Sequence, residues 1–199
     1  RRERVLHSGS RFIEAFGPIP PGIPGAILKS DETRDLDEAR RCMVRAGYPG
    51  GIDPRTGRPL ELKFDQTGAD TFFRQTAELM ALDMKEIGIA IRPSFNTRPR
   101  FLQKLDSGEV QLFRLSWTAD YPDAENFLQL FYGKNKGSCN RVNFGDPEYD
   151  RMYEELLRIG DSAEYERQVR RMTAFLKEKN PWIFETHTVA FVMTHQWLD

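Results

Sequence analysis

Three carboxylates lie close together in the sequence, at Asp120, Asp123 and Glu125, around a Tyr121-Pro122 turn. An apolar run that ends at Trp117 precedes them, and an apolar helical pattern follows them. Two neighbouring carboxylates can act as general acid and general base on a glycoside. One carboxylate beside a large aromatic side chain can instead hold a cationic ligand. The residue types therefore allow two kinds of chemistry at this turn.

Two of the three carboxylates have structural roles that the local sequence explains. Asp123 is placed to cap the helix that follows, and Glu125 suits the first turn of that helix electrostatically. Asp120 has no such role, although a turn residue can also bond to its own backbone. We therefore favour a binding site built on Asp120 over a glycan-processing enzyme that uses Asp120 with Asp123 or Glu125.

Other catalytic and metal-binding patterns are missing from the sequence. There is no Gly-x-Ser-x-Gly nucleophile elbow and no glycine-rich phosphate loop between a strand and a helix. The three histidines are His7, His187 and His195. The last two would lie about 26 Å apart in an extended strand, and they cannot share a metal ion unless the chain folds back between them. No metal or cofactor is expected.

Composition limits the partners that the chain can have. Its 199 residues include 29 Lys and Arg against 30 Asp and Glu, which argues against a chain-wide surface for nucleic acid. No run of about 18 or more apolar residues occurs, so no transmembrane helix is expected. The chain begins at Arg1 without a methionine or a signal peptide, as an excised piece would. Cys42 is expected on the apolar side of a helix and Cys139 in an exposed loop, so no disulfide is predicted.

The elements that position the Asp120 turn are predicted from hydrophobic periodicity. Between residues 60 and 117, strands and amphipathic helices follow one another in the order β-α-β-α-β. That order predicts an α/β fold with a mixed, mainly parallel sheet flanked by helices. In such sheets, ligands bind outside the carboxyl ends of the strands. The predicted elements are strands 60–64, 89–92 and 110–117, the last covered on both faces, and helices 70–86 and 98–106.

The rest of the chain is predicted as a connector and a set of helices. Four prolines between residues 18 and 24 exclude an interior strand or helix there. Residues 1–34 are therefore expected to form an extended, polyproline-like connector over the surface, and residues 35–199 one α/β lobe. A third hypothesis is that the Pro-rich connector acts as a protein-interaction module. The other predicted elements are helices 35–46 and 125–132, one helix from 146 and one from 161, and closing strands 182–185 and 189–193.

A series of short motifs runs along nearly the whole chain. The stretch from Trp117 to Phe127 reads Trp-x-Ala-Asp-Tyr-Pro-Asp-x-x-Asn-Phe. The others are Gly17-Pro-Ile-Pro-Pro-Gly22, Ala39 to Tyr48, Gly57-Arg-Pro-Leu60, Asn143 to Asp150 and Asn180-Pro-Trp182. In these residues and in their order, the sequence resembles the peptide/nickel-type (family 5) solute-binding proteins of ABC importers.

The resemblance implies a type II, periplasmic-binding-protein-like lobe. Proteins of this family are two-lobed clamps that close on a ligand, and the chain resembles the second, C-terminal lobe. The missing first lobe and ABC transporter permease subunits would be its partners. The resemblance also implies a periplasmic or lipid-anchored extracellular protein that is not an enzyme. Any membrane contact would be made through an anchor outside this chain.

The same resemblance assigns site residues. In peptide-binding members, an acidic residue at the position of Asp120 holds the α-ammonium of the ligand. The strand at residues 115–118, here Ser116 to Thr118, would pair with ligand backbone, and Trp117 would border a side-chain pocket. Tyr121 belongs to a variant of the motif that is shared by members whose ligands are not all peptides. The expected ligand is therefore an oligopeptide, a dipeptide or a related small amine-bearing solute. Arg114 is an uncommon charge on the strand and could face an acidic ligand group or pair with a nearby carboxylate.

Overall fold

The structure is a computed structural model that describes residues 12–30, 34–190 and 193–194. These residues divide into two compact units. The first unit runs from 34 to 117, and the second combines 12–30 with the described residues after 117. Each unit contains its own hydrophobic core.

Some expectations fall outside these ranges or are not decided by them. His7 and His195 lie outside the described residues, so their distances to other histidines are not defined. The division into a connector at 1–34 and a lobe at 35–199 stays a prediction. Within the described ranges, no helix is long and apolar enough to cross a membrane.

Helices and strands alternate through most of the first unit. The second unit is mainly helical. In chain order they are β1 (Phe12–Glu14), α1 (Leu36–Arg45), β2 (Glu61–Thr67), α2 (Thr71–Lys85), β3 (Ala90–Asn96), α3 (Arg98–Asp106), β4 (Leu112–Phe113), α4 (Glu125–Leu128), α5 (Pro147–Leu156), α6 (Ser162–Lys179) and β5 (Thr186–Thr188). Short 3₁₀ turns occupy residues 49–51, 129–131 and 133–135.

The sheet of the first unit confirms the predicted β-α-β-α-β order. Its strand order is β3-β2-β4, and both pairings are parallel. Glu61 lies opposite Ala90, and the β2–β3 register continues without a break to Thr67 opposite Asn96. Because β2 is the central strand, its residues Phe64 to Gln66 are buried on both faces.

The predicted strand 110–117 is wrong in its length and in its burial. Only Leu112 and Phe113 pair with β2, and the Arg114 N–H makes one further bond to the Asp65 carbonyl at 3.3 Å. The apolar run indicated a strand covered on both faces, whereas β4 is an edge strand and residues 115–118 are exposed. The chain therefore leaves the sheet before it reaches the Asp120 turn.

Helix α2 forms where the hydrophobic stripe predicted a helix. The Asp70 carboxylate caps it by accepting the Phe73 N–H at 3.2 Å. Ala77 and Met80 on its inner face are buried and pack with the sheet residue Phe64. Helix α3 likewise matches its predicted range, 98–106.

The core of the second unit is built by α5, α6 and the residues from 124 to 131. The capping residues Asp146 and Asp161 begin the two long helices as predicted. The predicted helix 125–132 is instead a single α turn followed by a 3₁₀ turn. The fully buried side chains of this core include Leu128, Phe131, Tyr149, Leu156, Val169, Met172 and Leu176.

The Pro-rich segment does not lie over the surface as an extended connector. Ile19 is only 2% exposed and belongs to the core of the second unit. The chain then turns twice, because the Ile23 N–H bonds to Pro20 and the Ala26 N–H bonds to Ile23. The prolines exclude a helix or strand as predicted, but they also shape tight turns that bury an aliphatic side chain.

The closing strands were placed wrongly by the sequence. The observed strand is β5, at 186–188, and it pairs antiparallel with β1, which the sequence did not predict. Ile13 lies opposite His187 in this pairing. Residues 191 and 192 of the predicted strand 189–193 lie outside the described ranges.

The two cysteines have the opposite environments to those predicted. Cys42 is exposed, because it lies on the polar face of α1 beside Glu38 and Arg45. Cys139 is half-buried and packs against the core of the second unit. Their helical and loop positions were correct, but the side of each segment that faces the core was not.

Gly25 should be intolerant of a side chain if the Pro-rich segment packs as described. Its φ is 86°, and a Cβ there would lie 2.2 Å from Val169 Cγ1 on α6. Gly22 has a similar φ of 93° but has no heavy atom within 4 Å of a Cβ. We expect Gly25→Ala to lower the free energy of unfolding by about 2 kcal/mol more than Gly22→Ala, measured by urea unfolding. Equal losses in the two variants would show that this segment does not rest on α6.

Candidate ligand-binding site

The segment at residues 115–118, after β4, is exposed, and three of its four residues make no hydrogen bond within the described ranges. Leu115 is 43% exposed and Trp117 is 37% exposed. Leu115, Ser116 and Thr118 make no hydrogen bond to any residue that the structure describes. Exposed N–H and C=O groups of this kind can pair with the backbone of an added strand.

The Asp120 carboxylate is accessible. Asp120 is exposed, and within the described ranges its side chain makes no hydrogen bond or ion pair. Tyr121 is 48% exposed. Arg114, Ser116 and Trp117 belong to the first unit, whereas Thr118, Asp120 and Tyr121 belong to the second.

Two carboxylates after the turn are bound by tyrosine hydroxyls. Glu125 accepts hydrogen bonds from the hydroxyls of Tyr121 and Tyr153, and Asp123 accepts one from the hydroxyl of Tyr165. Asp123 also accepts the Glu125 N–H at 2.8 Å. The N-cap of α4 is Ala124, however, so the predicted capping role of Asp123 is wrong by one residue. We refer to the two carboxylates and the three tyrosines as the carboxylate–tyrosine network.

The tyrosines of the network remain hydrogen-bond donors well into the alkaline range. Burial is the larger cause that raises the pKa of Tyr153, and the hydrogen bond to Glu125 raises it further. Burial is also the larger cause that raises the pKa of Tyr165, and the hydrogen bond to Asp123 raises it further. The hydrogen bond to Glu125 raises the pKa of Tyr121. A protonated hydroxyl is needed to donate to a carboxylate, so these tyrosines can act as donors at neutral pH.

These contacts bear on the glycan-processing hypothesis. An acid–base pair requires two carboxylates that face the same substrate. Asp123 and Glu125 are instead engaged with residues of their own unit, while Asp120 is not. No contact among the described residues favours catalysis at this turn.

Arg114 makes an aromatic contact in the structure. Its guanidinium lies over the ring of Phe72, 5.2 Å from the ring centroid. The sequence did not predict this contact, because Phe72 lies in the first turn of α2. Whether Arg114 also faces an acidic ligand group or pairs with a nearby carboxylate of the protein stays an open prediction.

A buried ion pair lies under the carboxyl-terminal half of β2. Lys104 Nζ is 2.7 Å from Asp65 Oδ1, and the two side chains are 9% and 0% exposed. Asn96 Nδ2 donates to the same oxygen at 2.9 Å. Asp65 also holds the Arg114 N–H through its backbone carbonyl. This pair was not predictable from the sequence, because the charge of Lys104 alone would assign its helix face to solvent.

Cavities and metal-binding clusters do not mark another site. An open depression of about 410 Å³ lies between α5 and α6, and another of about 350 Å³ lies beside β3. Neither includes a residue of the 114–121 segment. Among the described residues, no group of three or more His, Cys, Asp or Glu side chains could hold a metal ion.

Comparison with protein families gives a match over most of the chain. Residues 5–139 match the family model described as bacterial extracellular solute-binding proteins, family 5 Middle. The matched range includes β4 and the Asp120 turn.

Curated relatives are similar over most of this chain but over a smaller part of their own length. Heme-binding protein A of Haemophilus influenzae is 24% identical over 182 residues, which is 89% of this chain and 32% of the relative. The periplasmic oligopeptide-binding protein OppA of Escherichia coli is 26% identical over 157 residues, which is 75% of this chain and 27% of the relative. The chain thus spans about a third of the length of the curated relatives it matches.

Solved structures share the fold. The periplasmic binding protein DppA of Helicobacter pylori, in complex with the peptide STSA, aligns with a TM-score of 0.79 at 18% identity. The alignment covers 94% of this chain and 36% of that one. HbpA2 of Haemophilus parasuis also aligns with a TM-score of 0.79, at 19% identity over 90% of this chain and 35% of that one. These likenesses confirm the predicted fold, a periplasmic-binding-protein-like lobe of type II.

Proposed function

Because the chain belongs to family 5 of the bacterial extracellular solute-binding proteins, we propose that it forms one lobe of a receptor that captures peptides, or a related amine-bearing solute, for an ABC importer. The relatives named above are binding proteins rather than enzymes. The missing first lobe of the same protein would supply the other side of the cleft. The receptor would be a periplasmic protein or a lipid-anchored extracellular protein. ABC permease subunits would receive the ligand from it.

The observation that carries this proposal is the exposed segment 115–118. Within it, Leu115, Ser116 and Thr118 make no hydrogen bond to the described residues, and the segment follows directly from an edge strand. A peptide laid against such a segment would gain main-chain hydrogen bonds that do not depend on its side chains. This mode of recognition suits a receptor for peptides of varied sequence.

Asp120 would provide the fixed point of the site. A peptide carries an α-ammonium group that needs a counter-charge once the cleft excludes water. A hydrogen bond between two charged groups contributes about 1.5–3 kcal/mol. Asp120 is exposed and uncommitted among the described residues, so it is available for this contact.

Trp117 and Tyr121 would each offer an aromatic surface to ligand side chains. Both are large aromatic residues that remain substantially exposed. Their flat rings can cover an apolar or a polar side chain at little cost in conformational entropy. Closure of the first lobe over them would exclude water and strengthen the ion pair at Asp120.

Native mass spectrometry of the full-length protein tests the proposal. The protein is purified without unfolding, incubated with mixed tripeptides that have free amino termini, and exchanged into volatile buffer. We expect peptides of several different sequences to be retained, because backbone pairing is tolerant of side chains. Retention only of solutes that carry no amine, without any peptide, would contradict the proposal.

A further inference from the structure

The carboxylate–tyrosine network joins the end of the Asp120 turn to two distant helices. Tyr153 lies on α5 and is 28 residues from Glu125, and Tyr165 lies on α6 and is 42 residues from Asp123. The same turn is closed locally, because the Asp123 N–H bonds to the Tyr121 carbonyl at 2.9 Å. Three separate parts of the second unit therefore meet at two adjacent carboxylates.

The residues beside these carboxylates are immobilised by burial. Ala124 is 1% exposed and Asn126 is 0% exposed, so the backbone on both sides of Glu125 is fixed in the core. Tyr153 is itself 5% exposed. A hydrogen bond from a buried donor to a carboxylate restricts the carboxylate to one position. The turn that bears Asp120 is thus held at its carboxyl end.

We propose that Asp123 and Glu125 are positioning residues, which through the network hold the Asp120 carboxylate where the ligand ammonium meets it. The inference rests on the proposed function. Neither carboxylate contacts the ligand in this scheme. Their contribution is pre-organisation, because a binding group that is already fixed loses less conformational entropy when the ligand arrives.

The scheme explains why three acidic residues lie so close together. An exposed carboxylate in a mobile turn would be a weak anchor, since ordering it would consume part of the binding free energy. Two neighbouring carboxylates that accept tyrosine hydroxyls provide that order without adding a neighbouring cation. A lysine or arginine in their place would compete with the ligand for Asp120.

Removing single hydroxyls tests the inference with little damage to the fold. In the full-length protein, Tyr165→Phe leaves Asp123 its bond to the Glu125 N–H, and Tyr153→Phe leaves Glu125 its bond to Tyr121. We expect each variant to bind mixed tripeptides about fivefold more weakly. This is the change in affinity that corresponds to the loss of one hydrogen bond. Hydrogen exchange of the backbone amides of residues 121 and 123–125 should accelerate by a similar factor.

Tyr132→Phe is the matched control. Its hydroxyl donates to Glu154 at 2.7 Å and takes no part in the network, although the residue lies in the same unit. Peptide affinity and amide exchange at residues 121 and 123–125 should remain within about twofold of the unmodified protein. Equal effects of Tyr132→Phe and Tyr165→Phe would overturn the inference.

A double variant separates positioning from a general structural role. If the network acts through Asp120, Tyr165→Phe should not weaken binding further when Asp120→Asn is already present. Additive losses would show that the hydroxyl supports the fold in some other way and would overturn the inference while the proposed function stands. If Asp120→Asn alone leaves affinity unchanged, the amine anchor fails and the positioning role fails with it.

Discussion

Replacing Asp120 with asparagine lowers the affinity of the full-length protein for peptides with a free amino terminus by about tenfold or more. Asparagine keeps the size of the side chain and one acceptor oxygen but removes the negative charge. In a cleft closed by the first lobe, the ligand ammonium would then be buried without a counter-charge, which is costly. Isothermal titration calorimetry with mixed tripeptides measures the change directly.

Glu178→Gln is the control for the loss of one negative charge. Glu178 is an exposed carboxylate at the end of α6 and has no hydrogen bond or ion pair within the described ranges. Its replacement should leave peptide affinity unchanged, because an exposed charge away from the ligand is screened by salt. If both variants lose affinity equally, the effect of Asp120→Asn reflects net charge and not an anchor.

Replacing Lys104 with methionine should cause a large loss of stability. The change leaves the Asp65 carboxylate fully buried, with only the neutral donors Asn96 and Ser94 beside it among the described residues. Breaking a buried ion pair from one side costs about 3–5 kcal/mol. Methionine keeps the length and the apolar stem of lysine, so packing losses are small. Urea unfolding of the full-length protein measures the change in the free energy of unfolding.

An exposed pair of the same chemistry provides the comparison. Lys134 Nζ lies 2.8 Å from Glu154 Oε1, but the two side chains are 72% and 38% exposed. Lys134→Met should therefore cost less than about 1 kcal/mol. Losses of the same size in the two variants would mean that the Lys104–Asp65 pair is not buried as described.

The pH dependence of the Lys104→Met effect has a definite sign. Burial works to raise the pKa of Asp65, but the hydrogen bonds from Lys104, Asn96 and Ser94 lower it below its ordinary value. A carboxyl whose pKa is lowered in the folded state contributes stability above its unfolded pKa, and this stability is lost as pH falls through the folded pKa. The difference between the two proteins should therefore be large at neutral pH and shrink in acid.

The sequence predicted the elements whose stabilising contacts are local. Helix α2 was located from the spacing of Phe73, Ala77 and Met80. The parallel order of β2, β3 and β4 followed from the alternation of strands and helices. In each case the pattern lies within one element or between elements that are neighbours in the chain.

Features that depend on distant residues were not predictable in this way. An apolar run indicated that the strand 110–117 is buried, but apolarity does not reveal that β4 lies at the edge of the sheet. The prolines near Ile19 indicated a turn-rich segment but not the helix on which it packs. Whether a segment is buried depends on the element of the chain that packs against it. The sequence of the segment alone does not identify that element.

The candidate site shows the same division. Asp123 was predicted to cap a helix, but the cap is the next residue, Ala124, and Asp123 accepts the Glu125 N–H from one position further back. Its second bond comes from Tyr165, which the sequence indicated only as part of an apolar helix stripe. A tyrosine in such a stripe carries a hydroxyl that needs a partner when it is buried, and this is the signal that could have suggested a polar contact. The pairing of Lys104 with Asp65 gave no comparable signal.

The most direct measurement for the central claim combines the Asp120→Asn variant with N-acetylation of the ligand. Calorimetry gives the affinities of the two full-length proteins for the same tripeptides with free and with acetylated amino termini. If Asp120 holds the ligand ammonium, acetylation should weaken binding to the unmodified protein by about tenfold or more and have little effect on the variant. An equal effect of acetylation on both proteins would contradict the account, because the ammonium would then be recognised by another group.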